Sequence, residues 1–251
     1  MSPPAPSTTK IWILDFSRII RERLPKTLKS IVVFEDCSRN LAAVLHNAQG
    51  LPGARVHSSR LLDPQVGTAF ARRSLDLENL SVSYMVDAMH FFQGCMPDSL
   101  GRHSDRETWT WQHLQSLALT SQCLQRTGNR REIEALLGRA ATVVLRMPKL
   151  HTLVLWNDTN ACAFIYAWDS AGGARITWRG TWELDITPYV VQMWQPVAWK
   201  LHSCALQVVK ERVDGVIRSH GDAIHLLGLP CQVVTPASLW QIRREGNPHA
   251  E

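Results

Sequence analysis

Four short segments of this chain repeat one pattern of aliphatic and polar positions. Aliphatic residues stand at i, i+3 and i+5 in LKSIVV (Leu28, Ile31, Val33), LENLSV (Leu77, Leu80, Val82), LQSLAL (Leu114, Leu117, Leu119) and LHTLVL (Leu150, Leu153, Leu155). This L-x-x-L-x-L spacing marks the strand of a leucine-rich repeat. Alternate side chains of a short strand turn inward, here the last two of each copy. Segments of helical period lie between the copies. Residues 11–24 align Trp12, Phe16, Ile19, Ile20 and Leu24 before Pro25 stops them. Short helices are expected near 39–46, 61–73 and 86–92. Asn129 is a natural N-cap for a helix over 130–146, which buries Ile133, Leu136, Leu137, Ala140 and Val144 and ends at Pro148. Helix-then-strand order predicts a parallel α/β stack.

The copies are unevenly spaced, by 49, 37 and 36 residues between their first leucines, against about 20 to 29 in standard leucine-rich repeats. The asparagine expected three residues after the last aliphatic position is replaced by Asp36, Met85, Gln122 and Asp158. The turns must therefore be held in another way. Beyond residue 161 the period changes to two. Cys162, Phe164, Tyr166 and Trp168 alternate along one strand, Gly172-Gly173 makes a turn, and Ile176, Trp178, Trp182 and Leu184 alternate along the next. A helix is expected from Pro188, a strand over 205–209, a helix over 213–220, a strand over 231–234 and a last helix over 236–243. The expected fold is α/β: an irregular leucine-rich-repeat-like stack of helix–strand units with a C-terminal β-hairpin and helical cap. It would occupy residues 11–245 as one domain, between a disordered leader (1–10) and a flexible tail (246–251).

Composition narrows the function classes. The 251 residues carry a formal charge of +5. The arginines are scattered rather than gathered into a basic run with interleaved aromatics, which argues against nucleic acid as partner. Six cysteines lie far apart with no C-x-x-C pair, so neither a metal nor a cofactor is implied. No apolar stretch reaches the ~20 residues that span a bilayer, and no signal peptide opens the chain. The expected location is the cytoplasm or nucleus. The sequons at Asn79 and Asn157 would matter only in a secreted protein.

Several segments together carry a resemblance: LKSIVVFED, LENLSVSYMVDAMHFF, LQSLALTSQ, AATVVLRMPKLHTLVLWN, ITWRGTWEL, SHGDAI and SLWQIRRE, spread over residues 24–245. In this order they resemble the uncharacterised domain of many filamentous-fungal F-box-type proteins. The resemblance implies a substrate-presenting domain without catalytic activity, next to an F-box that docks on a ubiquitin-ligase adaptor. Only a Pro/Ser/Thr leader precedes Ile11 here, so adaptor docking is not expected from this chain.

The expected function is accordingly non-enzymatic protein interaction with an unknown protein partner. The side chains alternating with the core leucines would form the recognition face: Ser30, Val32 and Phe34; Asn79, Ser81 and Ser83; Ser116, Ala118 and Thr120; Thr152, Val154 and Trp156. Of these, Phe34, Ser81, Ser83, Ser116, Thr120, Thr152 and Trp156 are the candidate contacts. Small residues at 32, 118 and 154 would equally suit a face covered by another segment. Trp178 and Trp182 are expected to pack in the core, with Arg179 and Glu183 paired on the opposite side. The alternative is an enzyme centred on Ser219-His220-Gly221-Asp222 with His225, where a carboxylate near an imidazole supplies base and orienting group. No G-x-S-x-G, Walker or H-E-x-x-H motif accompanies it. His220 and Asp222 also read simply as helix-end residues.

Overall fold

A computed structural model describes residues 16–35, 63–96 and 109–246. The leader, the expected helix near 39–46, the polar stretch 97–107 and residues 247–251 lie outside the described residues.

The four aliphatic copies become neighbouring parallel strands: β1 (Ser30–Phe34), β2 (Asn79–Asp87), β3 (Ser116–Thr120) and β4 (Thr152–Asn157). Their register follows the pattern residue for residue. Ile31, Leu80, Leu117 and Leu153 form one row across the sheet, and Val33, Val82, Leu119 and Leu155 the next. The strand entries share one device. Two successive amide N–H groups converge on a single carbonyl of the preceding strand: Glu78 and Asn79 on Lys29, Gln115 and Ser116 on Glu78, His151 and Thr152 on Gln115.

Helices α1 (Pro64–Arg73), α2 (Ala88–Gly94) and α3 (Arg130–Val144) begin where side-chain caps allow. Asp63, Asp87 and Asn129 each accept the N–H of the residue two positions on, filling one of the orphan donors of a first turn. Pro64 thus opens α1 as its first residue instead of interrupting it. Phe70, Phe91, Phe92, Leu136 and Leu137 from these helices are buried in one core with the two aliphatic rows.

The sheet has seven strands in the order β1-β2-β3-β4-β5-β6-β7. The hairpin strands β5 (Cys162–Asp169) and β6 (Gly173–Gly180) add antiparallel to β4, and β7 (Leu206–Arg212) adds parallel to β6. The expected terminal cap is therefore the middle of a mixed sheet. Helix α4 (Pro188–His202) links β6 to β7 and buries Trp194 in the main core.

After β7 the chain crosses to the other face. Helix α5 (His220–Leu227) starts seven residues later than the periodicity suggests. Gly215 and the β-branched Val213, Val216 and Ile217 disfavour helix before it, whereas Ser219 caps it by accepting the Asp222 N–H. Residues 231–234 run as an irregular segment instead of the expected strand, and α6 (Pro236–Gly246) closes the chain. Ala223, Ile224 and Leu227 of α5, Val233, Val234 and Ile242 form a second core against Ala118, Val154, Trp156, Ala163 and Ile165. Helices thus pad the sheet on both faces.

Candidate functional site

The expected recognition face is the one that the C-terminal segment folds across. Three rows of side chains run over it. The row at the strand exits holds Phe34, Ser83 and Trp156, with Thr120 at the end of β3, and lies deepest. Ser83 and Trp156 are fully buried, Thr120 is 5 % exposed and Phe34 is half-buried. Phe34, Ser83 and Trp156 face protein because α5 and residues 233–234 pack on them, the Ser83 hydroxyl donating to the Val233 carbonyl at 3.5 Å, and Thr120 is engaged by the β2 bulge at Tyr84 and Val86. In the middle row Ala118 and Val154 are covered, and Val32 is left 39 % exposed. The row at the strand entries stays accessible along its whole length: Ser30 and Asn79 are exposed, Ser116 and Thr152 half-buried.

That entry row floors a trough of about 400 Å³, at the small end of ligand-pocket size. Its far wall is Pro230, Cys231 and Gln232, and Gln115 and His151 stand at the strand entries. Ser81 lies at its base, 4 % exposed, and its hydroxyl has no hydrogen-bond partner among the described residues. None of the described lining residues is Asp, Glu, Lys, Arg, Phe, Tyr or Trp. Burial pushes the Cys231 thiol up to about 11, with the Ser116 hydroxyl opposing, so at neutral pH it is a hydrogen-bonding thiol and not a nucleophile.

The strand exits hold a second cluster. His220, the first residue of α5, places its Nδ1 3.3 Å from the carboxylate of Asp158, just past β4, and both side chains are nearly buried. Phe34, Tyr84, Trp156 and His220 pack edge-on around them, with ring centroids 5.3 to 6.3 Å apart. Tyr84 reaches this cluster because β2 bulges between Val82 and Asp87. Its φ is +68°, a left-handed conformation that costs a bulky residue on the order of 1–3 kcal/mol. The Thr120 hydroxyl pins the bulge by accepting the Tyr84 N–H at 2.7 Å.

Asp222, proposed alongside His220, is engaged elsewhere. It accepts the Arg218 N–H at 3.1 Å and lies 3.6 Å from Arg243, the work of a capping residue. An imidazole held by a carboxylate is the base-and-orienter half of a proton-transfer site. The partner of His220 is thus Asp158, 62 residues away, not the nearby Asp222.

The missing asparagine ladder has a substitute at the same end. Asp87 accepts from the Ser121 hydroxyl (3.0 Å) and the Gln122 N–H (2.7 Å), and the Asn157 amide donates to the Ser121 carbonyl at 2.7 Å. Arg179 does not pair with Glu183. It bonds Glu211 at 2.5 Å and donates to the Leu227 and Gly228 carbonyls at 2.7 and 2.9 Å, fastening the end of α5 to the sheet. Trp178 and Trp182 do pack together in the core, 4.7 Å apart.

Sheet and helices define a mixed α/β protein with a seven-stranded sheet, and among the described residues no helix is long and apolar enough to cross a membrane. The chain belongs to a family of unknown function (DUF6546), which it matches over residues 23–235. That span takes in all seven strands and α5, and stops before α6. No curated protein and no solved structure matches the chain.

Proposed function

We propose that this chain is a non-enzymatic recognition domain that holds a protein partner at the strand-entry trough. It would act as the substrate-recognition half of the fungal F-box-type proteins it resembles. One observation carries the proposal: four adjacent parallel strands present uncharged polar side chains, in register, along one accessible cleft. We read the four units as a degenerate leucine-rich-repeat-like stack, supported by their shared register and strand-entry hydrogen bonds. Ser81, Ser116 and Thr152 are the expected contacts that border this cleft. The five cysteines among the described residues are free, which fits a reducing compartment, so the cytoplasm or nucleus is the inferred location.

The test compares proteins captured by the wild-type chain and by Ser116→Arg, which fills the trough with a charge, after circular dichroism has matched their folds. Partners lost only in the variant support the role. Identical captures would remove it. A catalytic alternative has one observation in its favour, the His220–Asp158 pair. It would require a turnover that His220→Gln abolishes while the fold is retained.

A further inference from the structure

We infer that the strand-entry trough binds a short, uncharged, extended stretch of polypeptide through its amide groups, with the buried Ser81 hydroxyl as the central anchor. This assignment rests on the recognition role proposed above and adds the chemistry of what is recognised.

Three observations carry it. The first is the orphan hydroxyl. Ser81 is 4 % exposed, and among the described residues nothing satisfies its Oγ. Buried polar groups are almost always bonded, and a buried orphan beside a cavity is explained by something that occupies the cavity. An alanine would suit the packing at this position, as it does at Ala118 in the same row of the next strand.

The second is charge. Among the described lining residues there is no Asp, Glu, Lys or Arg. A carboxylate, phosphate or ammonium group would lose hydration there with no opposite charge to offset it. An acidic, basic or phosphorylated ligand is disfavoured for that reason. No described lining residue is Phe, Tyr, Trp, Lys or Arg, so the described lining lacks the stacking and charge on which nucleic-acid binding relies.

The third is the kind and span of the polar groups. Asn79, Gln115 and Gln232 carry primary amides, each both donor and acceptor, and Ser30, Ser81, Ser116 and Thr152 carry hydroxyls. Peptide N–H and C=O groups need this alternation of acceptor and donor. The main-chain N–H groups at the entries of β2, β3 and β4 are already bonded to carbonyls, so along the strand entries a ligand is read by side chains. Four strands at roughly 4.8 Å spacing span about 14 Å, which an extended peptide covers with about four residues.

The experiment offers the fluorescently labelled full chain to an array of N-acetylated, C-amidated hexapeptides, grouped as uncharged polar, acidic, basic and phosphoserine-containing. A neutral oligosaccharide array is run beside it. Uncharged polar peptides should be selected. The best of them, titrated by calorimetry, should bind Ser81→Ala roughly three- to tenfold more weakly, as expected for one neutral hydrogen bond, and Ser116→Arg not measurably. Ser81→Ala should melt no lower than wild type, which separates a lost contact from a damaged fold. Selection of charged peptides, of oligosaccharides or of no probe overturns the assignment, as does binding that survives Ser116→Arg. If protein capture still depends on Ser116 while charged peptides win on the array, the recognition role stands and only the ligand chemistry falls.

Discussion

Replacing Trp156 by alanine tests most directly whether the C-terminal helices seal the strand-exit half of the sheet. An open face would tolerate the change, because an exposed ring contributes little to folding. Trp156 is instead 0 % exposed, packed among Ala118, Val154, Ala163 and the α5 side chains, with its ring 5.4 Å from Tyr84 in an edge-on contact. Truncating a buried tryptophan costs about 3–5 kcal/mol, including the cavity left behind. Its indole N–H has no acceptor among the described residues, so its removal returns about 1 kcal/mol. The net loss is about 3 kcal/mol, a large part of the ~5–15 kcal/mol that holds a typical domain. For a chain of this size that lowers Tm by roughly 6–12 °C. Calorimetry or urea unfolding of Trp156→Ala, with Trp156→Phe as the volume-sparing control, reads the effect. Trp156→Phe should lose less than half as much. A loss below about 1 kcal/mol for the alanine variant would mean that α5 and α6 do not cover this face, and the trough would then be only part of a larger open surface.

Arg179→Met should weaken the hold of α5 on the sheet by about 1–2 kcal/mol, since charged hydrogen bonds to carbonyls are lost from a partly exposed site. Limited proteolysis should then cut between β7 and α5 first, and unchanged cleavage kinetics would refute the clamp. Cys231 should react with iodoacetamide about tenfold more slowly than a thiol at the ordinary value of 9.0. Its rise to about 11 cuts the thiolate fraction ~100-fold while each thiolate gains nucleophilicity; mass-spectrometric alkylation rates check this. His202 stacks on Trp168 at 4.3 Å, and burial holds its pKa below the ordinary 6.5, with the Leu150 carbonyl opposing and His151 adding to the depression. Above the unfolded value both states are neutral there. As pH falls through it the unfolded state takes up the proton first, so stability declines. Wild type should therefore lose more stability than His202→Gln between pH 7 and 5.5, and an NMR titration placing His202 above 6.5 would contradict it.

Much of the β-sheet was legible because its causes are local. Period-two aliphatic spacing forces a strand to bury one face, and four such segments of equal length paired in register. The Asn129 and Pro188 helix starts follow from capping and ring geometry within a few residues. The family match covers residues 23–235, yet it does not state what is bound.

What the chain pattern could not contain was which segment returns over the second face. Ser81, Ser83 and Ser116 look alike in sequence, but residues 230–234 cross the sheet so that Ser83 is roofed and Ser116 borders a cleft. The pairing of His220 with Asp158, across 62 residues, and the swing of Tyr84 into a left-handed bulge likewise depend on contacts between distant elements. Sequence alone determined which side chains alternate along β1 to β4 and where the helix capped by Asn129 begins, because those are decided within one turn or one pleat. Only the tertiary structure decided which of the alternating polar residues meet solvent, because burial is a property of what packs on a face and not of the face itself.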